Sequence, residues 1–196
     1  MSDIVDHRTE TRDSDRRVQK TRAALRTAFV ELILTRGFDA VSAADVAEHA
    51  NVGRSTFYEH FQGKDDILAL TLTPILSPLA DACIADAAGP RLIAVIEHFW
   101  QNRQLGRVLM AGRARQLMSR QLAGLIEDRL SSLSQAEGSL PAALSALSAL
   151  QLAHGELALI DGWLSGRHGV SAEAVAYALH AGSSAMALAL RGQGKY

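Results

Sequence analysis

Apolar residues recur at helical spacing along this chain, and no run alternates at the spacing of a strand. Val18, Leu25, Ala28, Phe29, Leu32 and Ile33 fall on one stripe of a helix that starts near Arg16, while Arg17, Lys20, Arg26 and Glu31 mostly lie off it. Composition agrees with that period. Alanine supplies 33 of the 196 residues, leucine is abundant and aromatics make up only 5%. Alanine and leucine are the best helix formers. The four prolines, at 74, 78, 90 and 141, stand where helices can begin or bend. The chain is predicted to be all-α, with length enough for one large domain or a small domain joined to a larger one.

Punctuation divides the pattern. Residues 1–15 carry a net charge of −3 and almost no apolar content, and are expected to form a disordered arm. Gly37 reads as the C-cap of the first helix. Ser42 can cap a short helix over 43–50, with Val46, Ala47 and Ala50 inward. Asn51-Val52-Gly53 makes a tight turn, because Asn and Gly tolerate positive φ. A third short helix covers 54–60, with Phe57 and Phe61 inward. Asp65 and Asp66 then open a long helix over 65–87, where Pro74 and Pro78 predict a kink or break near 73–78. Further helices are predicted over 91–103, 105–112, 114–133, 141–166 and 171–190, the last capped by Ser171. Gly138-Ser139 with Pro141, and residues 166–169, read as loops. The domains so drawn are the arm, 1–15; a three-helix unit, 16–64; and a helical remainder, 65–196.

Two short helices joined by a three-residue turn and backed by a longer one form a helix-turn-helix, whose second short helix fits the roughly 12 Å major groove of DNA. The stretch from Val41 to Leu68, V-S-A-A-D-V-A-E-H-A-N-V-G-R-S-T-F-Y-E-H-F-Q-G-K-D-D-I-L, resembles the DNA-binding domain of the tetracycline-repressor-like (TetR-type) regulators. Thr56-Phe57-Tyr58-Glu59-His60-Phe61, then Gly63-Lys64 and acidic residues, carries most of the likeness, which extends over about 16–70. The resemblance implies that Ser42 contacts a phosphate and that Arg54, Ser55 and Thr56 occupy the base-reading end of the third helix. Arg54 is the first choice for readout, because arginine bidentate to guanine is the commonest specific contact. It further implies phosphate contacts from Tyr58, His60 and Lys64. Ala44 stands where the family often has a base-contacting polar side chain, so readout leans on the third helix. Asn51 and Gly53 depart from the commoner Gly and Ser of this turn, and losing the Ser cap should weaken the third helix slightly.

The rest of the chain matches the family only in style. Residues 142–160 and 172–190 are rich in Ala, Leu, Ser and Gly, a face too apolar to leave in water on a monomer. A homodimer through 141–166 and 171–190 is therefore expected, with two recognition helices presented to double-stranded DNA at a palindromic operator. Residues 98–120 combine Arg103, Arg107, Arg113, Arg115 and Arg120 with aromatic and Met side chains, and no acidic residue lies between Glu97 and Glu127. In the family this region lines or borders an effector pocket. His98, Trp100, Arg103, Met110, Arg113, Met118 and His154 are its candidate lining, and an inward arginine would favour an anionic group on a mostly apolar effector. A solvated arginine face is the plainer alternative.

Enzyme readings find no support. His154, Glu156 and Asp161 do not form a catalytic or metal signature, the seven histidines are scattered, and no phosphate-binding glycine loop occurs. No catalytic residue, metal site or cofactor is nominated. The single cysteine, Cys83, excludes a disulfide framework and reads as a small buried hydrophobe. Residues 1–17 hold no apolar leader, and the most apolar stretches, 138–155 and 174–190, are diluted by polar residues, so a soluble cytoplasmic protein without a membrane partner is expected. The net charge of −1 divides into −3 for 1–15, +3 for 16–64 and −1 for 65–196, which places the basic excess in the DNA-binding segment. The expectation is a ligand-responsive transcriptional regulator, most simply a repressor released by a small molecule. The alternative is a helical dimer that binds a small molecule or protein and has lost DNA binding.

Overall fold

The computed structural model describes residues 3–134 and 142–192, with side chains described for 15–132 and 142–190. Among the described residues there are nine helices and no strand: α1 (Asp3–Arg36), α2 (Ala43–His49), α3 (Arg54–His60), α4 (Lys64–Asp81), α5 (Pro90–Gln101), α6 (Arg103–Leu109), α7 (Gly112–Ser134), α8 (Ala142–Leu164) and α9 (Ala172–Gly192). The chain forms two compact units, Met1–Ile67 and Leu68–Tyr196.

In the first unit α1 supplies the backing. Leu25, Ala28, Phe29, Leu32 and Ile33 are buried, and Val18 is half-buried at the edge of the stripe. Gly37 ends the helix at φ +78, where its N–H reaches the Ile33 carbonyl at 2.9 Å. The N-terminal boundary differs from the expectation. Residues 3–15, read as a disordered arm, continue α1. No Gly or Pro interrupts 1–36, and acidic residues suit a helix N-terminus, so the absence of an apolar stripe there does not end the helix.

The second unit is a helical bundle. Its core draws Leu76 and Leu79 from α4, Ile96 and Phe99 from α5, Met118, Leu122 and Ile126 from α7, Leu157 and Ile160 from α8, and Val175 and Leu179 from α9. α7 packs along α8, and α5 along α9. Gly106 of α6 allows the closest approach: a Cβ there would meet Leu164 Cδ1 at 2.9 Å. Pro90 takes the first position of α5, and Ser171 caps α9 by accepting from the Ala174 N–H at 3.3 Å.

Two expectations for this unit are corrected. No break occurs at 73–78: α4 is one helix with Pro74 and Pro78 inside it, ending at Asp81 rather than 87. Side chains of α7 brace it on either side of the prolines. Gln121 Nε2 donates to the Ala69 carbonyl at 2.8 Å, and Arg129 Nε to Asp81 Oδ1 at 2.8 Å. The second correction concerns hydropathy. By length and composition α8 is long and apolar enough to cross a membrane, with a mean hydropathy of 1.3 over its most apolar window. Ten of its residues, Ser145, Ser148 and Glu156 among them, are nevertheless buried inside the bundle. The expected loop at Gly138-Ser139 and Pro141 lies outside the described residues.

Candidate nucleic-acid interface

The helix-turn-helix is built by local signals. Ser42 and Asp45 form a capping box: the Asp45 N–H donates to Ser42 Oγ at 3.2 Å and the Ser42 N–H to Asp45 Oδ2 at 2.8 Å. Hydrogen bonds from Ser42, with Arg36 nearby, hold the Asp45 carboxyl below its usual pKa. Two ion pairs tie α2 to α1, Arg36–Asp45 at 3.4 Å and His49–Glu31 at 2.8 Å. Asn51 takes φ +53 in the turn, and the Val52 N–H closes it on the Ala47 carbonyl at 3.0 Å. Gly53 caps α3 without a side-chain hydrogen bond, as its departure from Ser implies.

α3 is anchored by Phe57, fully buried, and by Phe61, just beyond its C-terminus, with ring centroids 5.9 Å apart. Tyr58 packs edge-on against Phe57 at 5.2 Å, yet 61% of it is exposed. Arg54, Ser55 and Glu59 are exposed on the same helix, and Thr56 and His60 are half-buried. Five of the residues nominated for DNA contact therefore lie along one seven-residue helix.

Ser42 and Lys64 have work inside the unit. The Ser42 hydroxyl serves the capping box. Lys64 Nζ donates to the carbonyls of Phe38 at 2.9 Å and Asp39 at 3.1 Å, and stands 4.7 Å from the Phe38 ring centroid. Sequence reasoning missed this clamp, because it joins residues 26 apart.

The nominated effector residues are spread along the chain from α5 to α8. Met110 and Met118 are core residues. His98, Arg113 and His154 are exposed, and His154 Nδ1 bonds the Leu150 carbonyl at 2.8 Å. Trp100 and Arg103 come together. Arg103 lies over the Trp100 ring at 5.4 Å, and that ring packs on Trp163, with centroids 4.9 Å apart. Trp100 and Trp163 border a cleft of about 540 Å³ with Glu97, Val170 and Ser171. Arg115 is paired with Asp161 at 3.0 Å, while Arg107 and Arg120 are exposed. Sequence reasoning also left Glu156 without a role. It is buried on α8, its Oε1 accepting from Ser183 Oγ at 2.6 Å.

Comparison with known proteins agrees with this geometry. Residues 25–70 match the family model of bacterial regulatory proteins, tetR family. A Bacillus subtilis (strain 168) protein named as an uncharacterized HTH-type transcriptional regulator, YxbF, is 32% identical over 66 residues. That match covers 33% of this chain and 17% of the relative's length. The fold is shared with a TetR transcriptional regulator from Streptococcus agalactiae 2603V, with TM-score 0.58 and 22% identity over 88% of this chain and 98% of that one. It is shared also with NalD of Pseudomonas aeruginosa, the secondary repressor of the MexAB-OprM multidrug efflux pump, with TM-score 0.52 and 21% identity over 84% and 95% of the two chains. These relatives are regulators rather than enzymes. The helix-turn-helix thus lies within the segment, residues 25–70, that matches the tetR family of bacterial regulatory proteins.

Proposed function

We propose that this regulator acts in the cytoplasm as a ligand-released repressor that binds a palindromic operator as a homodimer. The observation that carries the DNA-binding step is the face of α3: Arg54, Ser55 and Tyr58 stand exposed on a helix whose opposite side is fixed by buried Phe57. A helix so anchored can enter a major groove without unfolding its support. Arg54 reads a base, and Tyr58 and His60 contact phosphates. Ser42 and Lys64 present charge and hydroxyl at the rim while serving the internal bonds described above.

Pairing of two copies is supported by apolar side chains left in water on residues 141–166 and 171–190. Leu147 is 64% exposed on α8, and Tyr177 and Leu188 are 68% and 67% exposed on α9. Burying them against a second copy removes that surface from water. An effector acts only by binding the DNA-competent and DNA-incompetent states with different affinity. NalD, which shares the fold, is a repressor, and that precedent supports the sign of regulation chosen here.

Binding to duplex fragments from upstream of the chain's own gene, titrated against salt, tests the reading. A palindromic fragment should bind with a steep salt dependence and a stoichiometry of two chains. Failure to bind any such duplex at low salt overturns it.

A further inference from the structure

We propose that Glu59 is a specificity-determining residue of the helix-turn-helix, its carboxylate accepting a hydrogen bond from the N4 amino group of a cytosine in each half-site. This inference rests on the DNA-binding step proposed above.

Helical phase singles Glu59 out. At about 100° per residue, positions two apart stand about 160° round a helix from one another. Phe57 is fully buried and fixes the inner side of α3. Ser55 and Glu59, each two residues from Phe57, therefore form the ridge directed most nearly away from the support, and both are exposed. Arg54, about 60° round from Phe57, and Tyr58, about 100° round from it, flank that ridge on one side. Thr56 and His60 flank it on the other and are half-buried. Glu59 is the one acid of α3, and it stands on the ridge that a groove would meet first.

Its carboxylate is uncommitted. Elsewhere in the unit Glu31 pairs with His49, Asp45 serves the capping box, and Asp66 accepts from the Gln62 N–H at 3.0 Å. Among the described residues, no hydrogen bond or ion pair engages Glu59.

An ionised carboxylate only accepts hydrogen bonds. Phosphate oxygens carry the same charge and also accept, so the DNA backbone offers Glu59 no partner. The donors of the major groove are the amino groups of cytosine, N4, and adenine, N6. The adenine amino group lies between two acceptors, its own N7 and O4 of the paired thymine. Cytosine N4 has an acceptor on one side alone, O6 of the paired guanine. Electrostatics therefore favours cytosine. The same charge repels guanine O6 and N7 and thymine O4, so Glu59 discriminates both by attraction and by repulsion.

The test uses the full chain, Glu59→Ala and Glu59→Gln. Duplexes with a randomised central segment are selected by each, and the bound pools are sequenced. Anisotropy titrations then compare duplexes that differ at single positions. The parent should prefer cytosine at one position of each half-site by about tenfold. Glu59→Ala should reduce that preference to within about twofold and leave the other positions unchanged. Glu59→Gln should move the preference there to adenine, because an amide both donates and accepts and so matches N7 and N6. Urea midpoints of both variants should match the parent's, as their changes are on an exposed ridge. A cytosine preference that survives both substitutions overturns the proposal. So does uniform tightening of every duplex, which would show the carboxylate merely repelling phosphates. A preference that fades only together with a fallen urea midpoint belongs to folding and overturns it as well. A parent that binds no duplex at low salt overturns the repressor reading along with this one. A parent with a sharp sequence profile that neither variant alters overturns this inference alone.

Discussion

The ammonium of Lys64 lies 2.9 Å from the main-chain oxygen of Phe38 and 4.7 Å from the centroid of the same residue's ring. One cation thereby fastens the start of α4 to the loop that follows α1, and positions the segment that carries α2 and α3. Charged hydrogen bonds contribute about 1.5–3 kcal/mol and a surface cation–π contact about 0.5–1, but this site is partly exposed, so the low end applies. Lys64→Ala is expected to lower unfolding stability by about 1–2 kcal/mol, read as a lower urea midpoint at unchanged slope. An unchanged midpoint would show that the contact carries no load in the folded chain.

Gly53 invites a gain rather than a loss. It caps α3 in an extended conformation, φ −66 and ψ 151, with no side chain to satisfy the helix amides. A Cβ there would stand 3.6 Å from Ser55 Oγ, in ordinary contact. Gly53→Ser supplies an acceptor and removes unfolded-state freedom, and should stabilise the chain by about 0.5 kcal/mol. A thermal melt decides it: a lower midpoint would mean that the added hydroxyl does not reach the α3 amides.

Arg54 and Tyr58 are exposed and Phe57 is not, so their substitutions should separate binding from folding. Arg54→Ala is expected to leave stability within about 0.5 kcal/mol and to remove about 1–3 kcal/mol of discrimination between operator and a site mutated at one guanine. Tyr58→Phe should weaken all duplexes alike. Phe57→Ala deletes a fully buried ring and should cost about 3–5 kcal/mol of stability. Anisotropy titrations on paired duplexes, beside urea curves, separate the three. Equal loss on both duplexes for Arg54→Ala would move base readout to another residue.

What the sequence made legible is what short-range chemistry decides. Asn51 at positive φ, Gly37 as a C-cap, Pro90 at a helix start, Ser171 as a cap, and Phe57 with Phe61 inward all follow from neighbours within a turn or two. The continuous α4 was not legible, because its braces Gln121 and Arg129 lie about fifty residues away on α7. The inward role of Lys64 was hidden for the same reason. Glu156 did leave a signal. It is the only charged residue between 142 and 160, and it falls on the buried stripe of Ala149, Leu152, Ala153, Leu157 and Ile160 at helical spacing. An acid on that stripe has to be buried, and only its partner, Ser183, required the fold.

That buried acid gives stability a particular pH dependence. Glu156 has a folded pKa of about 8, raised from 4.5 chiefly by burial. Below pH 4.5 it is protonated in both states and contributes no slope. Between 4.5 and about 8 the unfolded chain ionises it while the folded chain keeps the proton. The folded state then holds more protons, and its stability falls as pH rises, by as much as about 1.4 kcal/mol per unit from this group. Above about 8 both states are ionised and the loss is complete. Glu156→Gln should flatten the decline between pH 5 and 8, and should be more stable than the parent at pH 8. Urea unfolding of both chains across that range measures the difference directly. Parallel curves would mean that Glu156 ionises in the folded chain at an ordinary pKa, with a cation or water reaching Oε2.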